Sequence, residues 1–152
     1  MSSFVGRHRE LVEIKRLISD LRLVTLCGIG GVGKTRLAQR AAAQAQRAFP
    51  DGVWFVDLAE VGRLDPPATY DAPDVDVLAH VVAATLGLRE QSARALCDHL
   101  EPRCVLLVLD NCEHLLPACA TLVHALLRAC PHVRVMTASR EPLGLTGEAA
   151  YP

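Results

Sequence analysis

Short apolar runs alternate with segments of helical periodicity along this chain. Continuous runs of this kind are typical of strands that are buried on both faces of a sheet. Four of them lie at 22–27, 53–57, 104–109 and 133–138. Apolar residues at helical spacing predict helices over about 8–20, 34–48, 75–86, 92–100 and 117–129. The alternation predicts an α/β fold with a central, mostly parallel sheet and helices on both faces.

The connections between these segments carry residues that interrupt regular structure. Residues 63–73 are rich in proline, and we predict that they form a surface loop. Ser92 is a candidate N-cap for the helix that follows it. After the fourth predicted strand the chain shows no further long element.

Composition narrows the class of protein. The 152 residues are enough for one domain with an apolar core. The net charge of −1 gives no basic excess, so we expect no direct contact with nucleic acid. Because no apolar stretch reaches ~18 residues and the N-terminus lacks the apolar core of a signal peptide, we expect a cytoplasmic protein without membrane contact.

The six cysteines form no C-x-x-C pair, and we predict that they are buried, reduced thiols.

The most specific motif follows the first predicted strand. Residues 28–35 read Gly-Ile-Gly-Gly-Val-Gly-Lys-Thr and match the phosphate-binding P-loop, G-x-x-x-x-G-K-[ST], at every fixed position. In such a loop the glycines let backbone N–H groups surround phosphate oxygens, and the next helix adds the positive end of its dipole. The candidate nucleotide-binding residues are Gly28, Gly30, Gly31, Val32, Gly33, Lys34 and Thr35. The alternative is a glycine-rich turn that only joins a strand to a helix.

Two residues of this motif have chemistry beyond that of the backbone. Lys34 supplies a positive charge for the β- and γ-phosphates, and the Thr35 hydroxyl is a ligand for Mg²⁺. Asp110 closes the most apolar run of the chain. A carboxylate at the carboxyl end of a central strand lies at the crevice where α/β sheets bind ligands, and there it would hold Mg²⁺ opposite Thr35. A solvated aspartate at a strand end is the alternative.

Four segments resemble those of a known family. Residues 4–11, FVGRHREL, are similar to the h-h-G-R-x-x-E-L motif ahead of the P-loop in STAND ATPases. Within the bacterial NB-ARC branch of these ATPases, VLDNCEHL at 108–115 looks like the Walker B segment, TASREPLG at 137–144 like the sensor segment, and 53–58 like the second strand. The segments occur in the family's order over nearly the whole chain. The chain therefore resembles the nucleotide-binding domain of bacterial AfsR/LuxR-type transcriptional regulators.

The resemblance implies a three-layer P-loop NTPase fold, ATP or ADP with Mg²⁺ as cofactors, and roles for particular residues. Val5 and Arg7 would border the adenine and the ribose, and Arg36 would touch the α-phosphate region. Arg140 would read the γ-phosphate, because a guanidinium binds such a group through paired hydrogen bonds. For these four residues an ordinary core or surface role is the alternative. The fourth strand is expected between the strand before the P-loop and the strand that ends at Asp110.

Two departures from the family's pattern change the expected function. Many P-loop ATPases place glutamate directly after the Walker B aspartate, but this chain has Asn111 there, and Glu113 follows two residues later. Because a general base contributes ~10²–10⁴-fold to the rate and an amide cannot act as one, we predict slow hydrolysis with Lys34, Asp110, Glu113 and Arg140 as the candidate catalytic residues. In the family the domain continues into a further strand and into helical and winged-helix domains. We therefore expect the single domain 1–152 to lack its C-terminal strand and those domains.

Together these features predict an adenine-nucleotide switch module of a STAND-type signalling ATPase in bacterial transcription regulation. Its expected partners are the other domains of a larger regulator or further copies of itself. A P-loop ATPase or small-molecule kinase is one alternative, although a kinase lid needs several arginines and the middle loops hold only Arg63 and Arg89. A non-catalytic remnant that binds nucleotide weakly is the other. A GTPase is not indicated, because the chain has no N-K-x-D segment.

Overall fold

The computed structural model describes residues 8–28, 32–59, 61 and 74–151. The helices are α1 (His8–Asp20), α2 (Val32–Ala45), α3 (Asp74–Thr85), α4 (Ala93–Leu100) and α5 (Leu116–Ala129). The strands are β1 (Leu23–Cys27), β2 (Val53–Asp57), β3 (Leu106–Asp110), β4 (Arg134–Ser139) and β5 (Glu148–Tyr151). Short 3-10 turns cover Gln46–Ala48 and Glu113–Leu115. Within the described residues, no helix has the length and apolar character needed to span a membrane.

The strands form one parallel sheet in the order β2-β3-β4-β1-β5. The strand that precedes the P-loop, β1, pairs with β4 on one side and with β5 on the other. The fourth strand lies between β1 and β3, as the sequence predicts. This order brings the carboxyl ends of β1, β4 and β3 to one edge of the sheet. Any crevice at that edge is therefore shared by the P-loop, Asp110 and the segment after β4.

The expectation that the C-terminal strand is missing is wrong. Residues Glu148–Tyr151 form β5, which pairs in parallel with β1 from Leu23 to Leu26. Half of this strand is alanine, which has low strand propensity, so the sequence pattern gives little sign of it. The ladder with β1 supplies the stability that local propensity does not.

Apolar side chains alternate between the two faces of the sheet and form a separate core on each. Leu107, Leu109 and Val135 pack in a cluster with residues of α3, α4 and α5. Leu106, Val108 and Met136 pack on the other face with residues of α1 and α2. The predicted three-layer α/β architecture, with helices on both faces, is confirmed.

Most predicted boundaries agree with the structure to within a few residues. Ser92 caps α4, because its hydroxyl accepts a hydrogen bond from the Ala95 N–H at 3.0 Å. All six cysteines are free, and Cys112, Cys119 and Cys130 are buried. The proline-rich segment 63–73, predicted to be a surface loop, lies outside the described residues.

Two arginines at the amino ends of β1 and β4 bind the ends of helices. Arg22 donates hydrogen bonds to the carbonyl of Leu127 in α5 at 2.8 Å and to that of Val133 at 3.0 Å. Arg134 donates to the carbonyl of Leu21, directly after α1, at 3.0 Å. Carbonyls at the last turn of a helix have no partner within the helix. The two guanidinium groups therefore complete the hydrogen bonding of α5 and α1 at this edge of the sheet.

Candidate nucleotide-binding site

The P-loop threonine and the strand-end aspartate are in direct contact. Asp110 ends β3 and is only 2% exposed. It shares the strand face of Leu106 and Val108, which pack toward α2, and Thr35 lies in the first turn of that helix. The Thr35 hydroxyl donates a hydrogen bond to Asp110 Oδ2 at 2.8 Å. The structure thus brings together the two residues predicted to hold Mg²⁺, whose role in metal binding stays a prediction.

The environment of Asp110 opposes its negative charge. Burial raises the pKa of this carboxyl, hydrogen bonds from Thr35 and from the Asn111 N–H offset part of that rise, and the carboxylates of Asp57 and Glu113 add to it. The Asn111 N–H donates to Asp110 Oδ1 at 3.0 Å, so both carboxyl oxygens have a donor. A cation placed here would lower the cost of the charge.

Lys34 bends back over the turn that ends β1. Its ammonium donates a hydrogen bond to the carbonyl oxygen of Gly28 at 3.0 Å. Gly28 has φ +149°, a conformation that side chains of other residues rarely adopt, so glycine is needed at this position. The lysine is therefore held at the carboxyl end of β1, beside the start of α2.

Asn111 is turned toward β2 and not toward the P-loop. Its backbone is left-handed, with φ 61°. Its amide donates to Asp57 Oδ1 at 2.9 Å, and the same oxygen accepts the Ala59 N–H at 2.9 Å. Asp57 is the register partner of Asp110 in the β2–β3 ladder. The sequence analysis did not identify Asp57 as the partner of Asn111, although its place at the end of an apolar run was the available signal.

Glu113 carries a polar atom without a partner. It lies in the 3-10 turn after β3, and its Oε1 is buried with no hydrogen-bond donor among the described residues. The Glu113 carboxylate lies close enough to Asp110 to raise the pKa of that group. Buried polar atoms are normally hydrogen-bonded, and an exception calls for an explanation such as a catalytic role or a water molecule.

The arginine predicted to read the γ-phosphate follows β4 directly. Arg140 is exposed, and its side chain makes no hydrogen bond or ion pair with the part of the chain that the structure describes. The preceding residue, Ser139, is buried and accepts the Glu141 N–H at 3.3 Å. Because β4 lies between β1 and β3, Arg140 at the carboxyl end of β4 lies between the end of β1, where the P-loop begins, and the end of β3, where Asp110 lies.

The remaining predicted site residues fall into two groups. Gly33 and Arg36 lie in the first turns of α2, where Arg36 is exposed. Val32 begins that helix. Val5, Arg7, Gly30 and Gly31 lie outside the described residues.

Taken as a donor set, the described residues fit a magnesium nucleotide. Mg²⁺ is bound through one or two protein oxygens together with phosphate oxygens and water, and the Thr35 hydroxyl and Asp110 carboxylate are such ligands. The ammonium of Lys34 provides the positive charge that a polyphosphate requires.

Solved structures share this arrangement of helices and strands. A STAND protein with a tetratricopeptide repeat sensor from Pyrococcus horikoshii superposes with a TM-score of 0.55 at 19% identity, over 96% of this chain and 22% of that one. A Rhizobiales Trip13 structure gives 0.58 at 14% identity, over 97% and 60%. A Drosophila ORC structure bound to DNA gives 0.58 at 13% identity, over 96% and 88%. The chain therefore shares its α/β fold with these STAND, Trip13 and ORC structures.

Sequence relatives define the family more narrowly. An uncharacterised protein of Mycobacterium tuberculosis is 43% identical over 155 residues, which cover 99% of this chain and 37% of that protein. A candidate HTH-type transcriptional regulator of the same species is 43% identical over 91% of this chain and 15% of its own length. The regulatory protein AfsR of Streptomyces griseus is 34% identical over 90% and 14%. No family model matches the chain.

The chain is therefore homologous to one part of AfsR-type regulators, and the resemblance found in the sequence is confirmed. It spans 37% of the length of the uncharacterised mycobacterial relative and 14% of that of AfsR. The region it matches is thus one portion of much longer proteins.

Proposed function

We propose that this chain is the adenine-nucleotide switch module of a STAND-type signalling ATPase that takes part in bacterial transcription regulation. The observation that carries the proposal is the 2.8 Å hydrogen bond between Thr35 and Asp110. It joins the last residue of a P-loop motif to a buried carboxylate at the end of a central strand, the pair of oxygen ligands that a magnesium nucleotide needs. Homology to AfsR supports the link to regulation.

In this proposal each described residue exchanges an internal hydrogen bond for one to the ligand. Lys34 leaves the Gly28 carbonyl to bind the β- and γ-phosphates, and Thr35 turns its hydroxyl oxygen toward Mg²⁺. Asp110 holds the same ion, directly or through water. When bound, Mg²⁺ would neutralise part of the phosphate charge.

The other predicted contacts complete the nucleotide site. The P-loop backbone, including Gly30, Gly31 and Gly33, surrounds the phosphates, and Arg36 borders the α-phosphate. Val5 and Arg7 border the adenine and the ribose. Arg140 binds the γ-phosphate and so distinguishes ATP from ADP.

Slow hydrolysis follows from the residues after Asp110. Asn111 cannot accept a proton, and its amide is held by Asp57. Glu113 is the remaining carboxylate of this segment, and its unpartnered Oε1 suits a water molecule that it would orient and deprotonate. The alternative of a non-catalytic remnant that binds nucleotide weakly rested mainly on a missing C-terminal strand, and β5 removes that argument.

Thermal unfolding with nucleotides tests the binding proposal. At about 100 times the dissociation constant, Mg·ATP or Mg·ADP is expected to stabilise the protein by about 2.7 kcal/mol. Lys34→Ala is expected to abolish this gain, whereas Lys15→Ala, which removes an exposed lysine of α1, leaves it unchanged. Equal stabilisation by Mg·GTP contradicts adenine selectivity. No stabilisation by any nucleotide contradicts the site itself.

The rate of ATP hydrolysis tests the proposal that the domain is a slow switch. We expect a rate far below the ~10 s⁻¹ of an ordinary enzyme. Glu113→Gln is expected to lower it by about 100-fold at unchanged affinity, the scale of a lost general base, and Glu141→Gln serves as the control. A wild-type rate near that of ordinary enzymes contradicts the switch, and an unchanged rate in the Glu113→Gln variant removes Glu113 from the mechanism.

A further inference from the structure

A single carboxylate holds the segment that follows β4. Glu148, the first residue of β5, accepts three backbone N–H groups: Leu143 to Oε2 at 2.8 Å, and Gly144 and Leu145 to Oε1 at 2.9 and 3.3 Å. The turn it closes uses Gly144 and Gly147, both with positive φ. The family resemblance implied a role for Arg140 in this segment but gave no reason to consider Glu148.

The same carboxylate reaches into the sheet. The Thr25 hydroxyl of β1 donates to Glu148 Oε2, and Thr25 and Thr137 lie 2.7 Å apart through their hydroxyl oxygens. Both threonines are fully buried. Thr25 lies three residues before Gly28, and Thr137 lies three residues before Arg140. Glu148 thus connects the strand before the P-loop, the strand before Arg140, and the segment after that strand.

Closing a turn does not require a carboxylate that also accepts a hydrogen bond from a neighbouring strand, as Glu148 does from Thr25. A carboxylate that accepts several hydrogen bonds makes short, strong, directional contacts, so it fixes the groups around it. Leu143 and Leu145 pack against the apolar core, which holds the segment from the other side. Arg140 itself is exposed and has no partner within the described residues. Its backbone is held on one side by Ser139, which pairs with Cys27 in the β1–β4 ladder, and on the other side by the contacts of the residues that follow it.

We propose that Glu148 is a positioning residue for Arg140. By holding residues 143–145 against β1 and β4, it keeps Arg140 beside the carboxyl ends of β1 and β3, where the γ-phosphate would lie. This role rests on the proposed nucleotide function. It adds Glu148 as a residue on which the preference for ATP over ADP depends, through Arg140. A Glu148 that only stabilised β5 would change the unfolding free energy and leave that preference unchanged.

The test measures dissociation constants for Mg·ADP and for a magnesium complex of a non-hydrolysable ATP analogue, by calorimetry on the full chain. Glu148→Gln keeps the length and volume of the side chain but replaces one acceptor oxygen with a donor. We expect it to reduce the ratio of the dissociation constant for Mg·ADP to that for the ATP analogue by about fivefold, and we expect the same of Arg140→Ala, since coupling between sites is typically of this size or larger. Glu141→Gln, an exposed carboxylate of the same segment, is expected to leave the ratio unchanged.

The double variant Arg140→Ala/Glu148→Gln decides whether Glu148 acts through Arg140. If it does, the second substitution changes the ratio no further. Amide hydrogen exchange gives an independent readout, in which Glu148→Gln is expected to speed exchange at 143–145 while β3 stays protected.

The two proposals fail in different ways. A wild-type ratio that persists in Glu148→Gln, or additive effects in the double variant, overturns the positioning role alone. Exchange at 143–145 that does not change overturns it as well. A wild-type chain that binds neither nucleotide overturns the proposed function and this role with it.

Discussion

The two edges of the sheet use polar side chains in opposite ways. At the amino edge, Arg22 and Arg134 donate to backbone carbonyls of neighbouring helices and loops, so their charges complete the fold. At the carboxyl edge, Lys34 and Thr35 bind other candidate site residues, and Glu113 keeps a buried oxygen without a partner among the described residues. Groups of the first kind have nothing to gain from a ligand. Groups of the second kind have partners that a ligand would replace, or in Glu113 an oxygen without one among the described residues, which fits the proposed nucleotide site.

An electrostatic cost is present at both edges, because burial raises the pKa of Asp110 and lowers the pKa of Arg22. Hydrogen bonds to carbonyls stabilise the charge of Arg22, whereas a bound cation would stabilise that of Asp110. Binding sites commonly keep such unfavourable groups at some expense of stability. Substitutions at the two edges should therefore have different consequences, and these can be measured.

The largest expected effect comes from the amino edge. Arg22→Ala removes the donors to the carbonyls of Leu127 and Val133, and we expect a loss of about 3 kcal/mol in unfolding free energy, since these part-buried acceptors lose a charged donor. Urea unfolding measures this loss. Arg128→Ala, an exposed arginine in the last turn of α5, is the control and is expected to change stability by less than about 0.5 kcal/mol. Equal effects of the two substitutions would remove the contrast between the edges.

The carboxyl edge should respond in the opposite direction. Asp110→Asn removes a buried charge while the amide can still bond Thr35 and the Asn111 N–H. We expect it to raise the unfolding free energy at neutral pH without Mg²⁺ by about 1–2 kcal/mol, and to abolish stabilisation by Mg·ATP. Urea unfolding with and without the nucleotide measures both. A destabilised variant would show that Asp110 supports the fold as Arg22 does.

The same substitution gives a pH dependence of defined sign. The folded pKa of Asp110 lies above its ordinary value of 3.8, so between the two values the folded state binds more protons than the unfolded state. Its contribution to stability therefore rises as pH falls through the folded pKa, and is complete below 3.8. The advantage of the Asp110→Asn variant should shrink over that window. An advantage that grows on acidification contradicts the raised pKa.

The smallest expected effect concerns the backbone at Asn111. Ala and Gly at this position both lose the bond to Asp57, but only alanine strains the left-handed conformation at φ 61°. We expect Asn111→Ala to be less stable than Asn111→Gly by about 1 kcal/mol in urea unfolding. Equal stabilities would mean that the connection after β3 relaxes freely, unlike the fixed connections at the amino edge.

The success of the predictions from the sequence depends on how far apart in the chain the interacting residues lie. β2 is predicted at its observed bounds, because a run of strand-forming residues is a local signal. The contact of Thr35 with Asp110 follows from a motif and from strand order. β5 was missed because Ala149 and Ala150 carry little local preference, and only pairing with β1 defines it.

The polar partners that were missed share one property. The bond of Asn111 to Asp57 joins residues 54 positions apart, and that of Thr25 to Glu148 joins residues 123 apart. Such bonds depend on the register of strands that lie far apart in the chain, and no local pattern encodes that register. They become visible only once the ladders are known.

The position of β1 limits how a ligand signal can leave this domain. The strand is hydrogen-bonded along both edges, to β4 and to β5, so sliding it would break two ladders at once. The turn at its end is thus attached to a strand that is held along both edges. We therefore expect a mechanical response to nucleotide, under the proposed function, to pass through the helices and the connections at the carboxyl edge. Spectroscopic labels placed there, not in the strands, would record it.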